Sequence, residues 1–329
     1  MLAMRVTQPG RPLQAVDLPV PQPAEHEVLV QVLACGVCRT DLHIIDAELP
    51  PHHPGMVPGH EVVGRVVVAG PGATRFAIGT RIGIPWLGGT CGHCPYCASQ
   101  HENLCDTPVF TGYNRPGGFA EYTVADERYC FELPDRYDDV HAAPLLCAGL
   151  IGFRAYRLAG LTGRARLGLY GFGAAAHILC QIAVAQGHEV HAFVRAGDEP
   201  SARFARQLGA CWAGPSDALP PQELDAALIF APVGALVPAA LRATRKGGVV
   251  VCAGIHMSDI PAFPYSLLWG ERSVRSVANL TREDGEAFFD CIARHPVTTH
   301  VQAYPLAQAN EAVAALRAGA VDGAAVLLP

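Results

Sequence analysis

Four cysteines crowd into one short stretch with the spacing Cys91-x2-Cys94-x2-Cys97-x7-Cys105, and no other feature of this chain restricts its folding as much. Four thiolates can close a tetrahedral shell around Zn²⁺ with bonds of about 2.3 Å, leaving no position for a substrate. A closed site of this kind stabilises a lobe of structure and does no chemistry. The remaining cysteines, out of 12 in total, are scattered. The opening Met1-Leu2-Ala3-Met4-Arg5 runs into polar residues and Pro9-Gly10, without the apolar core of a signal peptide. The expected compartment is therefore cytoplasmic and reducing, where clustered cysteines bind metal or catalyse instead of pairing.

With 329 residues, the chain exceeds what one hydrophobic core usually supports, so two domains are expected. Charged residues make up 16% of it, well under the usual content of about 25%, which argues against disorder and coiled coil. Lys+Arg 24 against Asp+Glu 30 leaves a net charge of -6 and no basic stripe, so a nucleic-acid partner is not expected. No apolar run approaches the roughly 20 residues of a membrane helix.

Up to about residue 150 the sequence reads as short β-branched runs, such as Val28 to Leu33 and Val62 to Val68, divided by Gly and Pro. That pattern suggests a partly closed, barrel-like antiparallel domain. Beyond it, strands at 166–170, 189–194, 226–230, 249–253 and 273–278 are predicted. Helices are predicted at 174–186, 199–208, 283–294 and 308–318, with a last strand at 324–328. The alternation of strand and helix implies a parallel, doubly wound sheet. The Pro/Ala-rich stretch from Ala213 to Pro221 reads as a surface loop.

Gly171-Phe172-Gly173-Ala174-Ala175-Ala176 forms a G-x-G-x-x-A turn between the first of these strands and its helix. Gly171 permits the tight turn, Gly173 lets the backbone approach a pyrophosphate, and the small Ala176 lets the helix pack on the sheet. The second strand ends on Val194 and Arg195, where NAD-selective sites carry an acid, and Asp198 and Glu199 come too late. An apolar residue followed by a cation leaves room for a 2′-phosphate, so the reading leans to NADP.

A second candidate metal set is dispersed: Cys38, His60, Glu61 and Cys147. Two thiolates and one imidazole leave the fourth place on zinc open, as catalysis requires. Taken alone, Cys147 reads more readily as core and His43 as an inert loop histidine, and the plain reading of Asp41 and Glu61 is surface charge.

In chain order, Cys38-Arg39-Thr40-Asp41-Leu42-His43, Pro58-Gly59-His60-Glu61, the four-cysteine lobe, Leu145-Leu146-Cys147-Ala148-Gly149 and the glycine turn resemble the zinc-containing medium-chain alcohol dehydrogenases. Trp86-Leu87 before the cysteines resembles the shorter microbial branch. The resemblance implies an α/β chain with a GroES-like, partly closed β-barrel catalytic domain over 1–152 and 286–329. A Rossmann domain with a doubly wound parallel sheet would occupy 153–285. It implies a catalytic zinc on Cys38, His60 and Cys147, with Glu61 as an alternative ligand and Asp41 behind His60. A structural zinc would sit on Cys91, Cys94, Cys97 and Cys105. Thr40, the cofactor ribose and His43 would carry the hydroxyl proton out, and Trp86 would narrow the substrate channel. Arg39 and Arg282 would reach the pyrophosphate of NAD(P) from two sides, and Arg195 would meet a 2′-phosphate. The implied reaction is hydride transfer between a small or primary alcohol or aldehyde and NAD(P), in a homodimer or homotetramer joined through the strand near Ser273 to Ala278. A polyol dehydrogenase and a conjugated-aldehyde (cinnamyl-type) reductase are the alternatives within this fold. A non-enzymatic zinc protein is the alternative outside it.

Overall fold

The computed structural model describes residues 1–49, 55–321 and 323–329. They divide into two units, one of Met1–Cys147, Asn279–Phe289 and Thr298–Pro329, the other of Ala148–Ala278 and Asp290–Val297. The boundaries therefore differ from the predicted 152/153 and 285/286. Helix Ala148–Ala159 packs on helix Ala174–Ala185 and strand Thr244–Cys252, so all of it belongs with the parallel sheet. Helix Arg282–Arg294 gives its first residues to one unit and its last to the other.

The first unit is organised around strand Glu27–Val37, which is mostly buried because both of its edges are paired. On one edge lies the antiparallel strand Glu61–Ala69. The other edge is shared between Tyr122–Asp126 and Ala324–Leu328. Among the described residues the sheet has seven strands, and its apolar face, including Val30, Val62, Ile82 and Leu327, forms the core together with Phe119 from outside the strands. One register position matters for the site. Gly36 lies opposite Glu61, so the end of one strand and the start of the next meet side by side. Cys38 leaves the first strand two residues later, and His60 enters the second one residue earlier.

The second unit holds a six-stranded parallel sheet in the order Trp212–Pro215, Glu189–Val194, Arg166–Tyr170, Leu224–Ile229, Thr244–Cys252, Ser273–Ser276. Numbered by sequence that order is 3-2-1-4-5-6, the dinucleotide-binding arrangement, and the glycine turn follows its first strand at the point where strand order reverses. The edge strand Trp212–Pro215 corrects the reading of Ala213 to Pro221 as loop. Ala213 pairs with Ala192, and Pro215 is tolerated because only an edge strand can spare its missing N–H. Among the described residues no helix is long and apolar enough to cross a membrane.

Candidate metal and cofactor sites

Cys38 caps the N-terminus of helix Arg39–Ile45. Its Sγ accepts from Thr40 N (3.3 Å), while the Asp41 carboxylate accepts from Cys38 N at 2.9 Å in a reciprocal capping box. Asp41 reaches further: its Oδ1 accepts from Gly59 N at 3.1 Å and lies 3.3 Å from His60 Nδ1. That contact sets the imidazole tautomer and turns Nε2 towards Cys38 Sγ, 3.1 Å away. Cys147 ends the short turn Ala143–Leu146, which packs on strand Glu61–Ala69. One ligand atom each from Cys38, His60, Glu61 and Cys147 falls within 4.8 Å of the others.

The electrostatics of this cluster suit a cation. Hydrogen bonding from Cys147 holds the Cys38 thiol well below its ordinary range, against the opposing effect of burial. The same hydrogen bond and burial push Cys147 well above its own. Burial, then the Cys38 thiolate, drives the Glu61 carboxyl well up. His60 is opposed by burial, but the Cys38 thiolate and Asp41 outweigh it and raise the imidazole well above its usual value. Soft and borderline donors are thus packed where their negative charges destabilise one another, and Zn²⁺ would relieve that conflict.

The thiol-rich lobe is separate and more exposed. Cys91, Cys94, Cys97 and Cys105 also place their sulfurs within 4.8 Å of one another. Backbone N–H groups point at these sulfurs, Cys94 N to Cys91 Sγ at 3.3 Å and Cys91 N to Cys105 Sγ at 3.4 Å. The N–H groups of His93 and Cys94 pull the Cys91 thiol down to about 6, which favours the metal-binding thiolate at neutral pH.

Trp86 lies edge-on to the His60 ring, with centroids 4.9 Å apart. Phe110 stacks on Trp86 at 4.8 Å, and Tyr113 lies 5.9 Å from it, so three aromatic rings back the histidine ligand. Strand pairing holds them in place, since Leu87 lies opposite Phe110 and Thr111 N donates to Trp86 O at 2.9 Å. From sequence, Phe110 reads as ordinary packing and Tyr113 carries no signal at all. Thr40 and His43 lie one turn apart on the capped helix, both buried, with His43 Nδ1 bonded to Glu48. Glu48 is a second residue that sequence reasoning misses, because its place depends on how the helix ends.

In the parallel-sheet unit, Gly171 has φ +86 and Gly173 begins helix Ala174–Ala185 without a side-chain cap. Its first N–H groups are therefore available to an anion. Ala176 is fully buried against the sheet. Val194 is buried and Arg195 exposed at the end of the second strand. Asp198 caps the next helix, accepting from Ser201 N at 3.1 Å and Ser201 Oγ at 2.9 Å. Arg39 and Arg282 belong to the other unit. Arg39 is exposed, whereas Arg282 bonds Glu102 through its backbone N (2.9 Å) and Nε (3.1 Å) and lies over the Tyr129 ring.

Comparison with known proteins agrees with this chemistry. Residues 24–135 match the alcohol dehydrogenase GroES-like domain. A probable alcohol dehydrogenase of Mycobacterium tuberculosis is 47% identical across 100% of this chain and 97% of its own length. An alcohol dehydrogenase of Geobacillus stearothermophilus is 35% identical over 99% of both chains. Among solved structures, an acetophenone reductase from Geotrichum candidum in complex with NAD superposes with a TM-score of 0.89 at 27% identity, over 100% of this chain and 97% of that one. A cinnamyl alcohol dehydrogenase from Sorghum bicolor gives 0.88 at 25% identity, over 99% of this chain and 97% of its own.

Proposed function

The chain belongs to the zinc-containing medium-chain alcohol dehydrogenases and is an NAD(P)-dependent oxidoreductase, and on that premise we propose how its residues divide the work. Cys38, His60 and Cys147 hold the catalytic zinc, with Glu61 as a reserve ligand, and the four-cysteine lobe holds a structural one. The single observation that carries this reading is the convergence of those dispersed donors within 4.8 Å, with Asp41 behind His60. Zinc supplies a Lewis acid that makes a substrate hydroxyl acidic, and the nicotinamide ring supplies the hydride acceptor. The protein's own residues do the rest. Asp41 sets the His60 tautomer, Thr40 and His43 carry the hydroxyl proton away, and the aromatic rings beside His60 restrict what fits.

Pyrophosphate binds at the uncapped helix start after Gly173. The preference is for NADP, supported by the buried Val194, the exposed Arg195 and the engagement of Asp198 as a helix cap. Small or primary alcohols and aldehydes are the substrates. The Trp86–Phe110–Tyr113 stack favours one second reading, reduction of conjugated, cinnamyl-type aldehydes. The enzyme works in the cytoplasm as a homodimer or homotetramer. The assembly is supported by the outer edge of strand Ser273–Ser276, which no strand pairs among the described residues, and by Tyr265 and Trp269 nearby in sequence, 67% and 65% exposed. A matrix of NAD and NADP against primary, aryl, secondary and polyol substrates tests the reading. Highest kcat/KM with a primary or conjugated substrate and NADP supports it, and a preference for polyols or for NAD overturns the corresponding part.

A further inference from the structure

Helix Arg39–Ile45 ends at Asp46 in a turn whose hydrogen bonds are those of a Schellman motif. Ala47 takes the left-handed conformation at φ +58, its N–H donates to Ile44 O (3.3 Å), and Glu48 N donates to His43 O at 2.9 Å. That conformation is costly for any residue with a Cβ, and glycine usually occupies it. The motif brings the residue after the left-handed one beside the residue five positions earlier, where an apolar contact is common. Here a carboxylate and an imidazole meet instead: Glu48 Oε2 is bonded to His43 Nδ1. The two ends of the pair differ in exposure, with 11% of the His43 side chain and 56% of the Glu48 side chain open to solvent.

We propose that Glu48 is a positioning residue of the proton relay, fixing His43 with Nδ1–H outward so that Nε2 faces inward as the proton acceptor. The inference rests on the reading of His43 as the relay's last base. When the substrate hydroxyl gives up its proton, His43 Nε2 gains it, and the imidazolium stays paired with the Glu48 carboxylate. The Nδ1 proton then passes to solvent buffer beside Glu48, leaving the Nε2–H tautomer, and release of the Nε2 proton with uptake of one from buffer at Nδ1 restores the pair. The carboxylate faces the charge that forms on the ring and keeps Nε2 aimed inward. Among the described residues, the other charged groups around this helix are engaged or turned away. Asp41 serves His60, and Asp46 is paired at 2.6 Å with Arg317 from the packed helix Ala309–Ala318. Arg39 is exposed at the opposite end.

The test is steady-state alcohol oxidation by the zinc-loaded enzyme across pH, comparing Glu48→Gln, Glu48→Leu, His43→Gln and the double variant Glu48→Leu/His43→Gln. Glu48→Leu restores the ordinary apolar contact of the turn, so the fold is kept, which thermal unfolding checks. The expected result is a loss of about five- to twentyfold in kcat for Glu48→Leu with little change in KM, and a smaller loss for Glu48→Gln. In both, the pH profile of kcat departs from the wild-type one, because the carboxylate that faces the ring is gone. Adding Glu48→Leu to His43→Gln should cost nothing further. If His43→Gln slows the enzyme while both Glu48 variants keep the wild-type rate and profile, this inference is wrong and the relay stands. If His43→Gln is also without effect, both are wrong.

Discussion

Asp41 holds His60 from behind: its Oδ1 lies 3.3 Å from the ring Nδ1, and the two side chains are 0% and 1% exposed. Because the same carboxylate also accepts from Cys38 N and Gly59 N, one acid ties together the strand ends that carry Cys38 and His60. The neutral amide in Asp41→Asn can keep one of these contacts but cannot favour the Nδ1–H tautomer as strongly. Zinc affinity at this site should fall about 10- to 100-fold, read by competition with a chromophoric chelator, while the thiol-rich lobe retains its metal. Unchanged affinity would mean that Asp41 serves only the helix cap.

Gly171 and Gly173 make opposite predictions. A Cβ on Gly171 would lie 2.8 Å from Ala231 Cβ and 2.9 Å from Ala231 N at φ +86, so Gly171→Ala should destabilise the fold by at least about 1–2 kcal/mol in thermal unfolding. A Cβ on Gly173 would meet nothing within 4 Å. The fold gives no reason for glycine there, and close approach of a pyrophosphate does. Gly173→Ala should keep its Tm and bind NADPH at least about tenfold more weakly in a fluorescence titration. Equal binding would remove the turn from the cofactor site.

Trp86 is wedged between His60 and Phe110, so truncating it should open space beside His60 instead of collapsing the core. For Trp86→Ala, kcat/KM with branched and secondary alcohols should rise relative to primary ones by about tenfold. A chain-length and branching series with unchanged ratios would show that the ring only packs.

Burial holds His188 and His191 below the ordinary value of 6.5. The unfolded chain therefore takes up these protons before the folded unit does, and the sign follows. Their contribution to stability is complete above about 6.5 and is lost as pH falls from there through the lowered folded values. His188 Nδ1 accepts from Ala165 N at 3.1 Å, so protonation also breaks that bond. Hydrogen exchange should show the Ala165 amide losing protection between about pH 7 and 5, and His188→Gln should flatten the trend. A pH-independent Ala165 amide would contradict it.

Much of the parallel-sheet unit was legible because most of its strands are apolar runs and its first two predicted helices are closed by Gly187 and Gly209. Strand Glu189–Val194 has the predicted limits, and helix Glu199–Gln207 stops one residue short of them. Strand Trp212–Pro215 was not, since an edge strand with Gly and Pro carries no β-branched signal. The candidate metal donors stand out only as a set spread along the chain, because no local pattern marks Cys147. Glu48 was hidden for a different reason. Its contact with His43 depends on Ala47 adopting a left-handed conformation that sequence gives no cause to expect. Arg282 likewise reads as a free cation until the fold places the buried Glu102 against it.

The most direct measurement is anomalous diffraction at the zinc absorption edge from crystals of the metal-loaded enzyme. The expected map has a peak for each of two groups of donors, one enclosed by Cys91, Cys94, Cys97 and Cys105 and one bounded by Cys38, His60 and Cys147. A single peak, inside the thiol-rich lobe, with Cys38, His60 and Cys147 coordinating nothing, would contradict the assignment of the catalytic metal.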